Sequence, residues 1–348
     1  MARTGRDALP FGAVMATGAA SQLAVRAGVG VLRVPMLWLT VAVALVVVVR
    51  TAAAPRRSPR RDGVATCFGD FTVPIGLAVI GGGLARLGGT AAVTGTFVLL
   101  GAWVVTGVLL ATVVGPLVTS LGTAPHGLEA VDGTWFLAPA ALLADAIGVA
   151  AVVGPLSGHS PALRSLALAA AGVGATGYLL IVALGAARVL VHGLGGTPLA
   201  AWWIAAGCGG LSAAALGQTA SLDPASSGAA ALHGFGWAAM ACWAVGSVWL
   251  VPVLAASLRS LASLRRASGR PPWPPTFSTG VYALGTAQVG HLLVTASITR
   301  LADLAAAATI GLWALTVCAH LPRALGRGRH RRAALEQADP GGPPPGPG

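Results

Sequence analysis

The clearest absence in this 348-residue sequence is that of charge, since it contains no lysine and only ten aspartate and glutamate residues. Charged residues make up 9% of the chain, whereas soluble proteins carry about 25%. Hydrophobic residues account for 55%. A globule of this size in water needs far more polar surface. The composition therefore disfavours a soluble enzyme or a disordered chain and favours a membrane protein.

Motifs of catalysis and of metal binding are also missing. The sequence has neither a Walker loop nor a Gly-x-Ser-x-Gly elbow. No Cys-x-x-C pair occurs, which argues against a disulfide framework or a zinc site. We therefore expect no enzyme activity, no cofactor and no metal. The four cysteines fall in or beside apolar runs and are interpreted as small buried side chains: Cys67, Cys208, Cys242 and Cys318.

Long apolar stretches are abundant instead. Ten of them are interpreted as membrane-crossing helices, although the second and third are short for about 30 Å of hydrocarbon. The first follows Arg3 and Arg6, as a signal peptide would, but nine more stretches follow, so we interpret it as a membrane helix. The predicted spans are 10–30, 34–49, 71–87, 91–116, 134–155, 161–187, 198–221, 231–257, 276–297 and 301–322.

Arginines predict the orientation of these spans. All 22 basic residues are arginine, and with the N-terminus inside, 17 of them fall on the inner side. This asymmetry predicts that both termini are cytoplasmic, and it leaves nucleic-acid binding without support. We expect the protein to lie in the cytoplasmic membrane of a bacterium. Residues 1–325 are predicted to form a single ten-helix domain, and 326–348 a disordered tail that is first basic and then Gly/Pro-rich. The five outer arginines are Arg26, Arg33, Arg86, Arg164 and Arg300.

The predicted spans alternate in character. Even-numbered spans are bulky and apolar all round, which suits contact with lipid. Odd-numbered spans are rich in small residues, glycine and proline, which suits close packing or the lining of a cavity. Composition leaves both readings of the odd spans open. The candidate pore-lining positions on them are Gly18, Pro74, Pro139, Gly209 and Gly280.

Few polar residues fall inside the spans. Asp145 lies in the middle of the fifth, where a carboxylate is costly and is a functional candidate. It could take up protons, attract cations, pair with an arginine, or make a structural hydrogen bond in its protonated form. Gln288 and His291 lie three residues apart on the ninth span and share a face. They could line a pore or bridge helices.

The ninth span carries a recognisable stretch, Trp-Pro-Pro-Thr-Phe-Ser-Thr-Gly-Val-Tyr at positions 273–282. It resembles the "YWSxVFPLGMY" stretch of the tellurite-resistance/dicarboxylate transporter family, which includes slow-type anion channels. Four further stretches resemble family motifs in the same order along the chain, at 11–18, 62–71, 132–137 and 201–204.

The resemblance implies an all-α membrane protein in which ten transmembrane helices form five hairpins around a central pore lined by the odd-numbered helices. It also implies a homotrimer that carries small anions of the dicarboxylate, sulfite, tellurite, chloride or nitrate class. In channel members a phenylalanine of the ninth helix closes the pore, and that position is Phe277 here.

Two positions depart from the family pattern. Ser278 replaces the proline that follows the phenylalanine, and Asp145 stands where many bacterial members have glutamine. An ionised carboxylate in an anion pathway would repel the substrate. A proton-coupled carrier that uses Asp145 therefore stays open as an alternative, together with a cation or drug carrier and a membrane protein without transport activity.

Overall fold

A computed structural model describes residues 9–53, 68–123, 127–153, 161–193, 199–222, 229–264 and 273–337. Within these ranges all regular structure is helical, and short 3₁₀ turns occur at Gly30–Leu32, Gly69–Phe71, Gly127–Ala130 and Gly133–Phe136. The α-helices of the described chain are α1 (Leu9–Leu23), α2 (Arg33–Ala53), α3 (Thr72–Ala85), α4 (Gly89–Thr123), α5 (Leu137–Val152), α6 (Pro161–His192), α7 (Leu199–Ala220), α8 (Ala229–Leu264), α9 (Trp273–Leu292) and α10 (Ala296–Gln337).

Seven of the described helical segments are long and apolar enough to cross a membrane, and Gly69–Ala85 is a shorter apolar helix. Each segment satisfies its own backbone hydrogen bonds, which a chain in hydrocarbon requires. The chain is therefore an all-α, multi-pass membrane protein.

The helices fall into two groups by burial. Buried residues make up 83% of the apolar windows in α5 and α7 but only 22–33% of those in α2, α4, α6, α8 and α10. Large apolar side chains point outward from the second group, as Phe97 and Leu315 do with 69% exposure each. The bulky even helices thus form the outer surface, and α5 and α7 lie inside.

The odd-numbered helices contact one another in a closed cycle. Helix α1 packs against α3, α3 against α5, α5 against α7, α7 against α9, and α9 against α1. Each of them also packs against the even-numbered helix that follows it. The part of the chain that the structure describes is thus layered, with five helices inside and five outside.

Glycine contacts give the direction of these helices. A Cβ atom on Gly76 would touch Val14, and one on Gly18 would touch Val79, so the contacts advance in the same order along α1 and α3. These two inner helices are parallel. A Cβ on Gly81 would touch Leu99, whereas one on Gly95 would meet the backbone of residue 85, so α3 and α4 are antiparallel.

All five even-numbered helices extend past the predicted ends of their spans, among them α4 and α10. Helix α4 continues through the proline at position 116 to Thr123. Helix α10 continues to Gln337, although the sequence analysis places the start of a disordered tail at residue 326. Residues 326–337 contain no proline and are rich in arginine, alanine and other strong helix formers, which explains the longer helix. Residues 338–348 lie outside the described residues, as do Arg3, Arg6 and Cys67.

Candidate functional site

All five inner helices contribute side chains to one cavity on the axis of the bundle. The cavity is narrow, with room for roughly one water molecule. The inner helices α1, α3, α5, α7 and α9 contribute, in that order, Ala19, Ile75, Ile147, Leu211 and Phe277.

Phe277 lies in this cavity and is 3% exposed. It belongs to the second turn of α9, after the prolines at 274 and 275. Prolines are tolerated in a first helical turn because the backbone N–H groups there lack intrahelical acceptors. A rigid helix start therefore places the phenyl ring among the aliphatic side chains of Ile75 and Leu211.

Ser278, the departure from the family pattern, faces helix α7. A Cβ atom on Gly207 would lie 2.9 Å from the Cβ of Ser278, so the two backbones approach closely at this point. The Ser278 hydroxyl is buried and has no hydrogen-bond partner. The small side chain thus serves the packing of α9 against α7, next to the ring of Phe277.

Two polar residues line the cavity, and both sit where an inner helix ends. Gln22 is the penultimate residue of α1, and Arg86 directly follows α3. Because α1 and α3 are parallel, both residues lie at the same end of the bundle. The arginine pattern of the sequence places Arg86 among the outer arginines and gives it no role in the site. Its position one residue beyond a glycine-rich helix is the signal that could have identified it.

Asp145 is fully buried but lies outside the cavity lining. The hydroxyl of Thr106 on α4 donates to its Oδ2 atom at 2.7 Å, whereas Oδ1 is buried without a partner. The preceding residue, Ala144, lines the cavity. Asp145 therefore faces the outer helix α4.

The other predicted pore-lining residues also lie at helix contacts. A Cβ on Gly18 would clash with Val79 of α3, and one on Gly280 would press on Ala19 of α1 and Thr309 of α10. A Cβ on Gly209 would meet the backbone of Gly246 on α8. None of the three lines the cavity. These glycines allow close packing of helices.

The two prolines that were predicted to line the pore are buried in the first turns of their helices. Pro74 is the third residue of α3, and Pro139 is the third residue of α5. The carbonyl of Pro139 faces Gly174 of α6, where a Cβ would lie 3.2 Å from it. Both prolines start helices and do not kink them, and neither lines the cavity.

Gln288 and His291 follow the same trend. Gln288 is half-buried against α7, where a Cβ on Gly217 would lie 2.3 Å from its Cγ atom. His291 is exposed at the end of α9. Neither lines the cavity. Among the described residues, no group of three or more His, Cys, Asp or Glu side chains could hold a metal ion.

Comparison with known proteins supports the family resemblance found in the sequence. A search of curated proteins finds no match for this chain. A family profile described as "Voltage-dependent anion channel" matches residues 9–321, a range that begins with α1 and ends within α10. The match covers most of the chain and every inner helix that contributes to the cavity. The protein therefore belongs to the voltage-dependent anion channel family.

Proposed function

We propose that this protein is a conduit for small anions, with its pathway along the axis of the five inner helices. The carrying observation is the cavity to which α1, α3, α5, α7 and α9 all contribute. In this proposal each inner helix and the outer helix after it form a hairpin, and all ten helices cross the bilayer. The closed cycle of contacts between inner helices supports this arrangement.

The assembly and the orientation belong to the same proposal. The protein would act as a homotrimer in a bacterial cytoplasmic membrane, as the family resemblance suggests. Both termini would face the cytoplasm, which the excess of arginine on that side supports. Labelling of single cysteines at the two ends of the bundle in intact cells would test the orientation.

Phe277 would act as the gate of the pathway. Its ring is buried in the narrow cavity, which the aliphatic side chains of Ile75 and Leu211 also line. Opening would require rotation of this ring or a shift of α9. Because prolines make the start of α9 rigid, rotation of the ring is favoured over a shift of the helix.

The test is conductance of the reconstituted protein after Phe277→Ala. We expect a chloride current well above that of the parent, because the blocking ring is gone. Phe97→Ala is the matched control, since Phe97 is 69% exposed on the outer helix α4. Equal currents for the parent and Phe277→Ala would reject the gate.

The alternative of a proton-coupled carrier depends on Asp145. The contact of Asp145 with Thr106 on α4, away from the cavity, favours a passive conduit. Anion uptake into proteoliposomes with and without an inward proton gradient separates the two. Gradient-driven uptake that is lost in Asp145→Asn would support the carrier and contradict the passive conduit.

A membrane protein without transport activity is the remaining alternative, and the same liposomes address it. We expect efflux of chloride from liposomes that contain Phe277→Ala and none from empty liposomes. Replacement of potassium by a bulky cation should leave the exchange of internal chloride for external nitrate unchanged, because the proposed pathway carries anions. Efflux that followed the cation would instead indicate a cation carrier.

A further inference from the structure

Arg26, Arg33 and Arg86 lie near the end of the bundle where α1 and α3 finish, and Arg300 near the start of α10 lies at the same end. Arg26 forms an ion pair with Asp303 of α10, with 2.9 Å between Nη1 and Oδ1. Partial desolvation by surrounding protein lowers the pKa of the exposed Arg86 guanidinium, and the nearby charge of Arg33 lowers it further. The carbonyl oxygen of Arg33 accepts a hydrogen bond from Ser21 Oγ at 2.7 Å, so the start of α2 lies beside the end of α1 and brings a like charge near Arg86.

Arg33 and Arg86 have no counter-charge in the described part of the chain, where neither forms an ion pair. Asp303 is engaged by Arg26. Asp70 precedes α3, so it is separated from Arg86 by the length of that helix, roughly 20 Å. The two guanidinium groups thus create a positive potential at one mouth of the cavity.

The same mouth also offers a hydrogen-bond donor. Gln22 and Arg86 both line the cavity. The amide N–H groups of Gln22 and the guanidinium N–H groups of Arg86 can donate hydrogen bonds to an anion. Arg33 does not line the cavity, but its positive charge acts on Arg86. A cationic group beside a neutral donor, at the mouth of an apolar cavity, is suited to hold an anion that has lost part of its water.

We propose that Arg86, with Gln22 and the supporting charge of Arg33, forms an anion-binding site that concentrates small inorganic anions at this mouth of the cavity. The proposal rests on the conduit function given above and adds its substrate class. Chloride and nitrate fit because the cavity that Arg86 and Gln22 line has room for roughly one water molecule. A dicarboxylate would bring a second charge for which the cavity lining offers no partner.

Binding can be measured without any conduction. The detergent-purified full chain is unfolded thermally in rising sodium nitrate, with sodium gluconate holding the ionic strength constant. A bound anion raises the melting temperature as its concentration passes the dissociation constant. We expect this rise in the parent and its loss in Arg86→Gln, whereas Arg86→Lys should keep part of it.

Arg300→Gln is the matched control, because Arg300 is exposed on α10 one turn from Asp303 and is absent from the cavity lining. It removes one positive charge from the same end and should keep the full nitrate-dependent rise. A full rise in Arg86→Gln, or an equal loss in Arg300→Gln, would overturn the site. Should Arg86→Gln not fold, Arg33→Gln replaces it, with an expected increase in the apparent dissociation constant for nitrate.

A second readout tests the role of the site in conduction. In the Phe277→Ala background, Arg86→Gln should lower the chloride current roughly tenfold at about 0.01 M salt and far less at about 1 M, where the charge is screened. An unchanged current at low salt would contradict the concentrating role. If Phe277→Ala carries no current, the gate fails, while the nitrate-dependent melting temperature still decides the binding site.

Discussion

Helices α7 and α10 have similar apolar character, yet they occupy opposite environments. Buried residues make up 83% of the apolar window of α7 and 22% of that of α10. The difference lies in side-chain size, because α7 carries four glycines between 207 and 217 and α10 presents leucines such as Leu304 and Leu315 to the outside. In lipid, apolar character does not drive helices together, so close approach through small residues decides which helix lies inside.

The largest effect of this difference is expected for leucine truncation. Leu143 on α5 is fully buried and fills the space beside Gly174 of α6. Leu143→Ala should destabilise the protein by roughly 2–5 kcal/mol, because it leaves a cavity that its neighbours cannot fill. Equilibrium unfolding in mixed SDS micelles measures the loss.

The control for this truncation is Leu315→Ala, where the side chain is 69% exposed on α10. Lipid or detergent fills the vacated space there, so the change should stay within about 0.5 kcal/mol. Equal losses at positions 143 and 315 would break the distinction between inner and outer helices.

Addition of a single methyl group should have the next largest effect. A Cβ on Gly285 of α9 would lie 2.1 Å from the carbonyl oxygen of Gly210, so Gly285→Ala must push α9 and α7 apart. We expect a loss of roughly 1–3 kcal/mol, the range of overpacked cores. The apparent melting temperature of the purified protein reports this change.

Gly107 on the outer helix α4 provides the opposite case. Nothing lies within 4 Å of a Cβ built there, so Gly107→Ala gains helix propensity without a clash. A small rise in melting temperature is expected. A fall like that of Gly285→Ala would show that α4 is covered, for example by a second copy of the chain.

The layering of the fold could be predicted from the sequence to a large extent. Bulky even spans and small-residue odd spans correctly indicated which helices lie outside and inside, because the size of side chains governs approach in lipid. The ends of α4 and α10 could not be predicted from hydropathy. The proline at position 116 and the polar composition after 326 suggested stops, but α4 and α10 pass through them.

Prediction of the cavity-lining residues requires the rotation of each helix about its own axis as well as the position of the helix in the sequence. Successive residues on a helix point about 100° apart, so Ala144 lines the cavity while Asp145 contacts Thr106 of α4. A motif indicates Phe277, which lines the cavity, but no sequence pattern gives the rotation of α5. The sequence also gives Arg86 no role in the site, although it falls near the end of the predicted span 71–87, because its place in the lining depends on where α3 ends.

A third, smaller loss of stability is expected when a polar contact between an inner and an outer helix is removed. Thr106→Val removes the hydroxyl that donates to Asp145 Oδ2 and keeps the shape of the side chain. The buried carboxyl group then loses its hydrogen bond to α4, which should cost about 1 kcal/mol. Thr112→Val is the control, since Thr112 is exposed on the same helix and its hydroxyl donates only to the carbonyl of Leu109. Indistinguishable unfolding curves for the two variants would show that the Asp145 contact contributes nothing.

The smallest effect is expected where the layers meet water. Arg26, just after α1, and Asp303 of α10 form an ion pair at 2.9 Å, with 35% and 47% of their side chains exposed. Solvent screens such a pair, so a double-mutant cycle of Arg26→Gln and Asp303→Asn should give a coupling energy below about 1 kcal/mol. The coupling should shrink further at about 1 M salt, where the screening length falls to about 3 Å. A coupling of several kcal/mol that resisted salt would mean that this end of the bundle is shielded from water, and the contrast between a dry, close-packed interior and a wet rim would then need to be redrawn.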